Sequence, residues 1–167
     1  TTFSNNGGAN YKATFNVTAP NPVFLYEGVN TGGGTYYATV KDAFDAINAG
    51  TYTGVLHILL FGNTTEAATA VLNASGTGSA SYSSLSVNPD AGSAITVSGA
   101  ITGRLIDLNG ADNVTIDGLN TGGNSLTISN TATGASSAIR FIGDATNNTI
   151  QKCTILGSAS TAANGVI

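Results

Sequence analysis

The chain has 167 residues, of which 41% are hydrophobic and only 8% are charged, with a formal net charge of −4 at pH 7. This length suits one domain with its own core or part of a longer repetitive structure, and the apolar content argues against a disordered chain. Five basic residues argue against a nucleic-acid partner, and no apolar run approaches the roughly 20 residues that insertion across a membrane requires.

Residues 1–34 contain two short strand candidates. In YKATFNVT (11–18), apolar and polar side chains alternate as they do in a half-buried strand. The following PNPVFLYEG (20–28) supplies a proline-delimited turn and a second strand. Because two strands are marginally stable by themselves, we expect residues 1–34 to dock on the helix or the first coil that follows, or to contact another subunit.

An amphipathic helix is predicted at residues 39–49. Its apolar stripe consists of Val40, Ala43, Phe44 and Ile47, spaced i, i+3, i+4 and i+7. Thr39 is a good N-cap with Asp42 three residues later, and Gly50 is placed to end the helix. A helix of about three turns depends on packing against a larger structure. We therefore expect residues 35–54 to form a capping helix and its connection.

Residues 55–167 consist of many short apolar stretches separated by Gly, Asn, Ser and Asp. The strand candidates are 55–61, 68–72, 84–87, 94–98, 104–108, 113–119, 125–129, 138–142, 148–156 and 164–167. Even spacing of this kind is compatible with a sandwich, a barrel or a β-solenoid, so a longer repeat has to distinguish them.

Residues 105–120 and 138–154 supply that repeat. Ile106, Leu108 and Gly110 recur as Ile139, Phe141 and Gly143, each 33 residues later. After one inserted residue, Ile116 and Leu119 recur as Ile150 and Cys153. Equivalent residues at a fixed interval are typical of a solenoid, in which each coil stacks on the last.

The sequence therefore predicts an all-β fold, a right-handed parallel β-helix of about 33 residues per coil, with an N-terminal capping α-helix and coils in residues 55–167. The repeated apolar residues are expected to point inward as ladders. Proteins avoid uncapped coils and open sheet edges. We therefore expect either that the coils continue beyond the given chain or that a neighbour covers this end.

Three segments carry a resemblance to a known group of proteins. They are VKDAFDAINAGTYTG (40–54), NTTEAATAVLNASGTGSASYSSLSV (63–87) and LIDLNGADNVTIDGLN with NNTIQKCTI (105–120 and 147–155). Together they resemble the β-helix regions of large secreted, adhesin-like surface proteins of Bacteroidetes exported by the type 9 system. More distantly they resemble the pectin-lyase-like superfamily, in which an N-terminal helix caps the first coil. This resemblance implies a fold and leaves the function open, since that superfamily includes enzymes and passive stalks.

The charged residues of the repeat are mostly expected to be structural. Asp107 and Arg140 occupy equivalent outward positions in adjacent coils, which predicts a cross-strand surface ion pair. Asp112 is expected in a turn and Asp117 on the outer wall. The alternative is a lyase-like site, with an arginine as base and carboxylates around Ca²⁺, which needs several carboxylates to converge. Only Asp107, Asp117 and Asp144 are candidates, and no two of them stack in register. We therefore expect no catalytic, metal or cofactor site.

Three other residues have a chemical and a structural interpretation. His57 is the single histidine and Cys153 the single cysteine, so the sequence predicts neither a zinc site nor a disulfide. We expect His57 to be hydrogen-bonded in the core or to face outward, and Cys153 to act as an apolar filler. Glu66 is expected at a turn or a strand edge.

Two surface features suggest ligands. Outward threonines, namely Thr96, Thr115 and Thr127, raise the possibility of ice binding, although such surfaces usually carry two threonines per strand. The tyrosines Tyr36, Tyr37, Tyr52 and Tyr82 either complete the cap or stack against glycans.

These observations favour a non-catalytic, secreted structural or adhesive module of the cell surface: a stalk, fibre or adhesin segment. Its expected partners are glycans or other copies or segments of a surface fibre. The alternatives are a polysaccharide-active enzyme of the pectin-lyase-like kind and a glycan-binding module.

Overall fold

The computed structural model describes residues 21–29 and 33–160. The strands predicted at 11–18 and 164–167 lie outside the described residues. The fold is a parallel β-solenoid of about 3 turns, in which 54% of the described residues lie in strands and 7% in the helix. The predicted fold class is therefore confirmed.

The described residues contain one α-helix and thirteen strands. The helix α1 spans Val40–Asn48. The strands are β1 (Val23–Glu27), β2 (Thr35–Tyr37), β3 (Thr53–Leu60), β4 (Thr64–Glu66), β5 (Ala70–Asn73), β6 (Ser81–Pro89), β7 (Ala94–Gly99), β8 (Arg104–Asn109), β9 (Val114–Asp117), β10 (Ser125–Gly134), β11 (Ser137–Ile142), β12 (Thr149–Gln151) and β13 (Cys153–Ala159).

Each complete turn contributes one strand to each of three sheets. Sheet A has the order β12-β9-β6-β3-β1-β2, sheet B the order β13-β10-β7-β4, and sheet C the order β11-β8-β5. The solenoid strands pair in parallel, and their inward side chains form one continuous core. The repeat is about 31 residues per turn rather than the predicted 33. The corners differ in length: Ile139 follows its partner Ile106 by 33 residues, whereas Leu85 follows Leu56 by 29.

The repeat detected in the sequence corresponds to real strand pairing over most of its length. Ile106 pairs with Ile139 and Leu108 with Phe141 between β8 and β11. Ile116 pairs with Ile150 between β9 and β12.

The predicted stacking of Cys153 on Leu119 is wrong. Cys153 pairs with Leu126 in sheet B, while Leu119 lies in the bend after β9 with a φ of 60°. The predicted single strand 148–156 is broken at Lys152, whose φ is 54°. The chain turns a corner there, so that Cys153 begins a strand of the next sheet.

The N-terminal end of the solenoid is closed by a helix and two antiparallel strands. The predicted helix is confirmed, and its apolar stripe of Val40, Ala43, Phe44 and Ile47 is buried on the first turn. Thr39 accepts a hydrogen bond from the N–H of Asp42 as its N-cap, and Gly50 follows the helix with a φ of 72°. Strand β1 pairs antiparallel with both β2 and β3. The cap therefore also includes part of the segment 1–34.

The last turn is less well covered than the turns before it. Leu108 is fully buried, but its register partner Phe141 is 39% exposed. Ile150 and Cys153 are half-buried against the core, whereas Ile116 is buried. Phe141 therefore occupies the ladder position of the inward-facing Leu108, but it is only partly covered, because no further strand of the described residues packs over it.

Candidate functional site

Asp107 and Arg140 form the ion pair expected from their equivalent positions. The Nε of Arg140 donates to Oδ1 of Asp107 at 2.9 Å, and its Nη2 donates to Oδ2 at 2.5 Å. Asp107 is nevertheless buried rather than exposed, because it lies in the middle strand of sheet C between Val71 and Arg140. The hydrogen bond to Asp107 raises the pKa of Arg140. A guanidinium held in this two-pronged contact remains protonated, so it is unsuited to act as a base.

Asp112 serves a connection between turns. Its Oδ1 accepts hydrogen bonds from the backbone N–H and the hydroxyl of Thr146, at 2.6 and 2.8 Å. The hydrogen bond from the backbone N–H of Thr146 lowers the pKa of Asp112 most, and the bond from its hydroxyl lowers it further. Its carboxylate thus ties the corner after β8 to the corner after β11.

Asp117 faces outward from sheet A, opposite Gln151 of the next turn. Burial opposes its ionisation, but hydrogen bonds from the N–H of Leu119 and from Gln151 outweigh this effect, so the pKa of Asp117 is lowered. Lys152 lies 3.7 Å from the same carboxylate. Asp117 is therefore occupied by structural partners.

Glu66 has a structural role that its sequence context did not indicate. It lies at the end of β4 and is only 2% exposed. Its carboxylate accepts hydrogen bonds from the N–H groups of Val40 and Lys41, at 3.1 and 3.0 Å. The N-terminus of a helix has unpaired N–H groups and a partial positive charge. Glu66 thus anchors α1 to the first turn of the solenoid.

The carboxylates are distributed rather than gathered. Asp107 belongs to sheet C and Asp117 to sheet A, while Asp144 lies exposed in the corner after β11 with a φ of 60°. Within residues 21–29 and 33–160, no group of three or more His, Cys, Asp or Glu residues is placed to hold a metal ion.

Cys153 is half-buried, and burial raises the pKa of its thiol. Its Sγ lies 3.1 Å from the carbonyl oxygen of Gln151. A thiol with a raised pKa is a poor nucleophile at neutral pH. Its position therefore agrees with a packing role.

Five aromatic rings form a cluster on the outer face of sheet A at its capped end. We call it the aromatic cluster: Phe24, Tyr26, Tyr36, His57 and Phe61. Phe24 lies at its centre, with ring centroids 4.6 Å from Tyr36, 5.5 Å from Tyr26 and 6.4 Å from Phe61. Tyr26 stacks on His57 at 5.0 Å with an interplanar angle of 23°.

The aromatic cluster contains both buried and exposed rings. Phe24 is 6% exposed, whereas Tyr36 and Phe61 are 41% and 40% exposed. The sequence did not predict this cluster, because the antiparallel pairing of β1 with β2 and β3 is what brings the rings together.

Of the four tyrosines expected either to complete the cap or to stack against glycans, three have structural positions. Tyr52 and Tyr82 are buried, and their hydroxyls donate to Thr35 Oγ1 and to the carbonyl oxygen of Asn73, both at 2.6 Å. Tyr37 is half-buried against the core, and burial raises its pKa to about 12. Among these four residues, Tyr36 therefore presents the most exposed ring.

Rows of side chains in register cross the outer faces of two sheets. On sheet A, the register aligns Tyr26, His57, Ser86, Thr115 and Thr149, one residue per strand. On sheet B it aligns Thr96, Thr127 and Thr154. The three threonines considered for ice binding therefore do not share one face: Thr96 and Thr127 lie on sheet B, and Thr115 lies on sheet A.

His57 connects the aromatic cluster to the polar row of sheet A. It is half-buried on β3, and its Nδ1 lies 2.7 Å from Oγ of Ser86. The outer face of sheet A therefore changes from aromatic rings at the cap to hydroxyl groups in the later turns.

Comparisons of the chain with protein-family models, with curated proteins and with solved structures found no match. Within the described parts of the chain, no helix has the length and apolar character needed to cross a membrane.

Proposed function

We propose that the chain is a non-catalytic structural or adhesive module of a secreted cell-surface protein, a segment of a stalk, fibre or adhesin. The resemblance to adhesin-like β-helix regions of Bacteroidetes surface proteins supports this proposal. A surface built mainly from Ser, Thr, Asn and Gly, with only 8% charged residues in the chain, supports it as well.

The observation that carries the proposal is that four of the nine carboxylates, including two of the three candidates for a lyase-like site, are held by structural partners. Asp107 is held by Arg140, and Glu66 by the N-terminus of α1. Asp112 is held by Thr146 and Asp117 by Gln151. General acid–base chemistry needs carboxyl groups that reach a substrate and have pKa values tuned toward neutrality. Here hydrogen bonds lower the pKa values of Asp112 and Asp117 instead.

A polysaccharide-active enzyme is the competing proposal, and a depolymerisation assay distinguishes the two. The purified chain is incubated with pectin, polygalacturonate, xylan and laminarin, with and without Ca²⁺, and newly formed sugar ends are measured. We expect no release above a heat-denatured control. Release that is abolished by Arg140→Lys or Asp117→Asn, in variants that retain the wild-type circular dichroism spectrum, would contradict the proposal.

Adhesion itself is tested with beads that carry the chain covalently. Beads coated with the chain should adhere to polysaccharide-rich surfaces, such as algal cell walls, more strongly than beads coated with albumin. Equal adhesion of the two kinds of bead would overturn the adhesive part of the proposal.

A further inference from the structure

We propose that the outer face of sheet A binds a neutral polysaccharide chain, which stacks on the aromatic cluster and extends along the row formed by Ser86, Thr115 and Thr149. This inference rests on the adhesive function proposed above and names its ligand and its surface.

The first observation is that two rings of the aromatic cluster are exposed to solvent. Tyr36, Tyr26 and Phe61 cover Phe24, yet Tyr36 and Phe61 remain 41% and 40% exposed. The face of an aromatic ring carries partial negative charge. The C–H groups on one face of a pyranose ring carry partial positive charge, and that face is flat enough to stack on an aromatic ring. An exposed tyrosine also offers a hydroxyl to the sugar hydroxyls.

The second observation is the register of the row. Tyr26, His57, Ser86, Thr115 and Thr149 follow one another on adjacent strands. Adjacent strands are about 4.8 Å apart, which is close to the length of one sugar unit in an extended chain. The contact of His57 Nδ1 with Ser86 Oγ orients that hydroxyl. A polysaccharide lying along the solenoid axis would meet a ring stack first and then one hydroxyl per turn.

The third observation is charge, which selects a neutral ligand. The side chains of the row at Ser86, Thr115 and Thr149 are uncharged. The nearest acid of the face, Asp117, is offset by Lys152 at 3.7 Å. The chain as a whole carries a net charge of −4 with five basic residues, so it has no cationic field to attract nucleic acids or acidic glycans. An uncharged ligand surface therefore complements this face.

The test is affinity electrophoresis of the full chain in native gels. The gels contain hydroxyethyl cellulose, laminarin, galactomannan or xylan as neutral probes, and polygalacturonate as the acidic probe. At least one neutral probe should retard the chain, and polygalacturonate should not. Tyr36→Ala and Phe61→Ala should each raise the dissociation constant obtained from the retardation about 3- to 10-fold.

The polar row is tested with a matched pair of substitutions. Thr115→Val removes a hydroxyl from sheet A and should weaken retardation about 3-fold. Thr127→Val makes the same change in the threonine row of sheet B and should leave retardation unchanged. Circular dichroism and thermal unfolding establish that each variant is folded before its retardation is compared.

Several outcomes would overturn the inference. They are no retardation by any neutral probe, retardation by polygalacturonate alone, and equal retardation of wild type and the two aromatic variants. Sedimentation showing a wild-type dimer that Tyr36→Ala dissociates would assign the cluster to a second copy instead. Bead adhesion that is as strong in the Tyr36→Ala, Phe61→Ala double variant as in wild type would refute this inference and leave the adhesive function standing. Release of sugar ends would refute the non-catalytic function without affecting the retardation result.

Discussion

Replacing Glu66 by alanine should detach the N-terminal helix from the first turn of the solenoid. Glu66 is 2% exposed and accepts two backbone hydrogen bonds from the start of α1, at 3.1 and 3.0 Å. A hydrogen bond to a charged group contributes about 1.5–3 kcal/mol, and a buried donor left unpaired costs a similar amount. A negative charge at a helix N-terminus adds about 0.3–1 kcal/mol. Because contributions that share one carboxylate are not fully additive, we expect Glu66→Ala to lower the free energy of unfolding by about 3–5 kcal/mol.

Glu66→Gln separates the contribution of charge from that of hydrogen bonding. Glutamine keeps one acceptor oxygen but places an amide N–H₂ group where the second acceptor was, so we expect a loss of about 1–2 kcal/mol. Thr65→Ala is the matched control, because Thr65 is exposed on the same strand. An exposed substitution of this kind should change the stability by no more than about 0.5 kcal/mol.

Two measurements check this prediction. Urea unfolding followed by circular dichroism gives the overall stability of each variant, and hydrogen exchange by mass spectrometry reports on the peptide that contains α1. In Glu66→Ala the helix amides should exchange faster than those of the later turns, since a solenoid can open locally at one end. If Glu66→Ala is no less stable than Thr65→Ala, or if exchange in α1 is unchanged, the proposed anchoring role is wrong.

Three further predictions concern the core, a close backbone approach and pH. Leu108→Ala should cost about 2–5 kcal/mol and Phe141→Ala about 1 kcal/mol, because Leu108 is fully buried and Phe141 is 39% exposed although the two pair in register. Gly118→Ala should cost about 3 kcal/mol, because its Cβ would lie 2.1 Å from a backbone carbonyl oxygen of the next turn. Burial raises the pKa of Tyr82 from 10.0 to about 12. Its contribution to stability should therefore be complete below pH 10 and should be lost by up to about 1.4 kcal/mol per pH unit as the pH rises toward 12.

Each of these predictions has a direct check. For the core, urea unfolding gives the stability of Leu108→Ala and Phe141→Ala. An equal loss of unfolding free energy in the two variants would contradict the structure. For the glycine, Gly33→Ala is the control, since a Cβ at Gly33 meets nothing within 4 Å. Equal stability of the two glycine variants would be inconsistent with the close approach. For pH, Tyr82→Phe should lose less stability than wild type between about pH 10 and 12, and parallel curves would show that Tyr82 does not cause the decline.

The elements governed by local pattern could be predicted from the sequence. The predicted helix 39–49 corresponds to Val40–Asn48, because apolar spacing and capping residues act within one or two helical turns. The parallel solenoid could be predicted because Ile106 and Leu108 recur at one interval as Ile139 and Phe141. Strand β4 was not found, because Thr64–Glu66 is short and polar and shows no apolar alternation.

The candidate binding surface could not be predicted in the same way. Tyr26 and His57 stack only because β1 runs antiparallel to β3, and nothing in either segment specifies that pairing. The corner at Lys152 also changed the expected partner of Cys153 from Leu119 to Leu126.

The sequence by itself determined which residues are apolar, how often they recur and where the helix lies, since these follow from composition and short-range periodicity. Only the tertiary structure decided which polar and aromatic residues share a face. Corners of unequal length set the register between turns, and a shift of one residue moves every side chain of a strand to the opposite face. The register that aligns Ser86 with Thr115 and Thr149, and the position of Glu66 under the helix, are therefore properties of the folded chain.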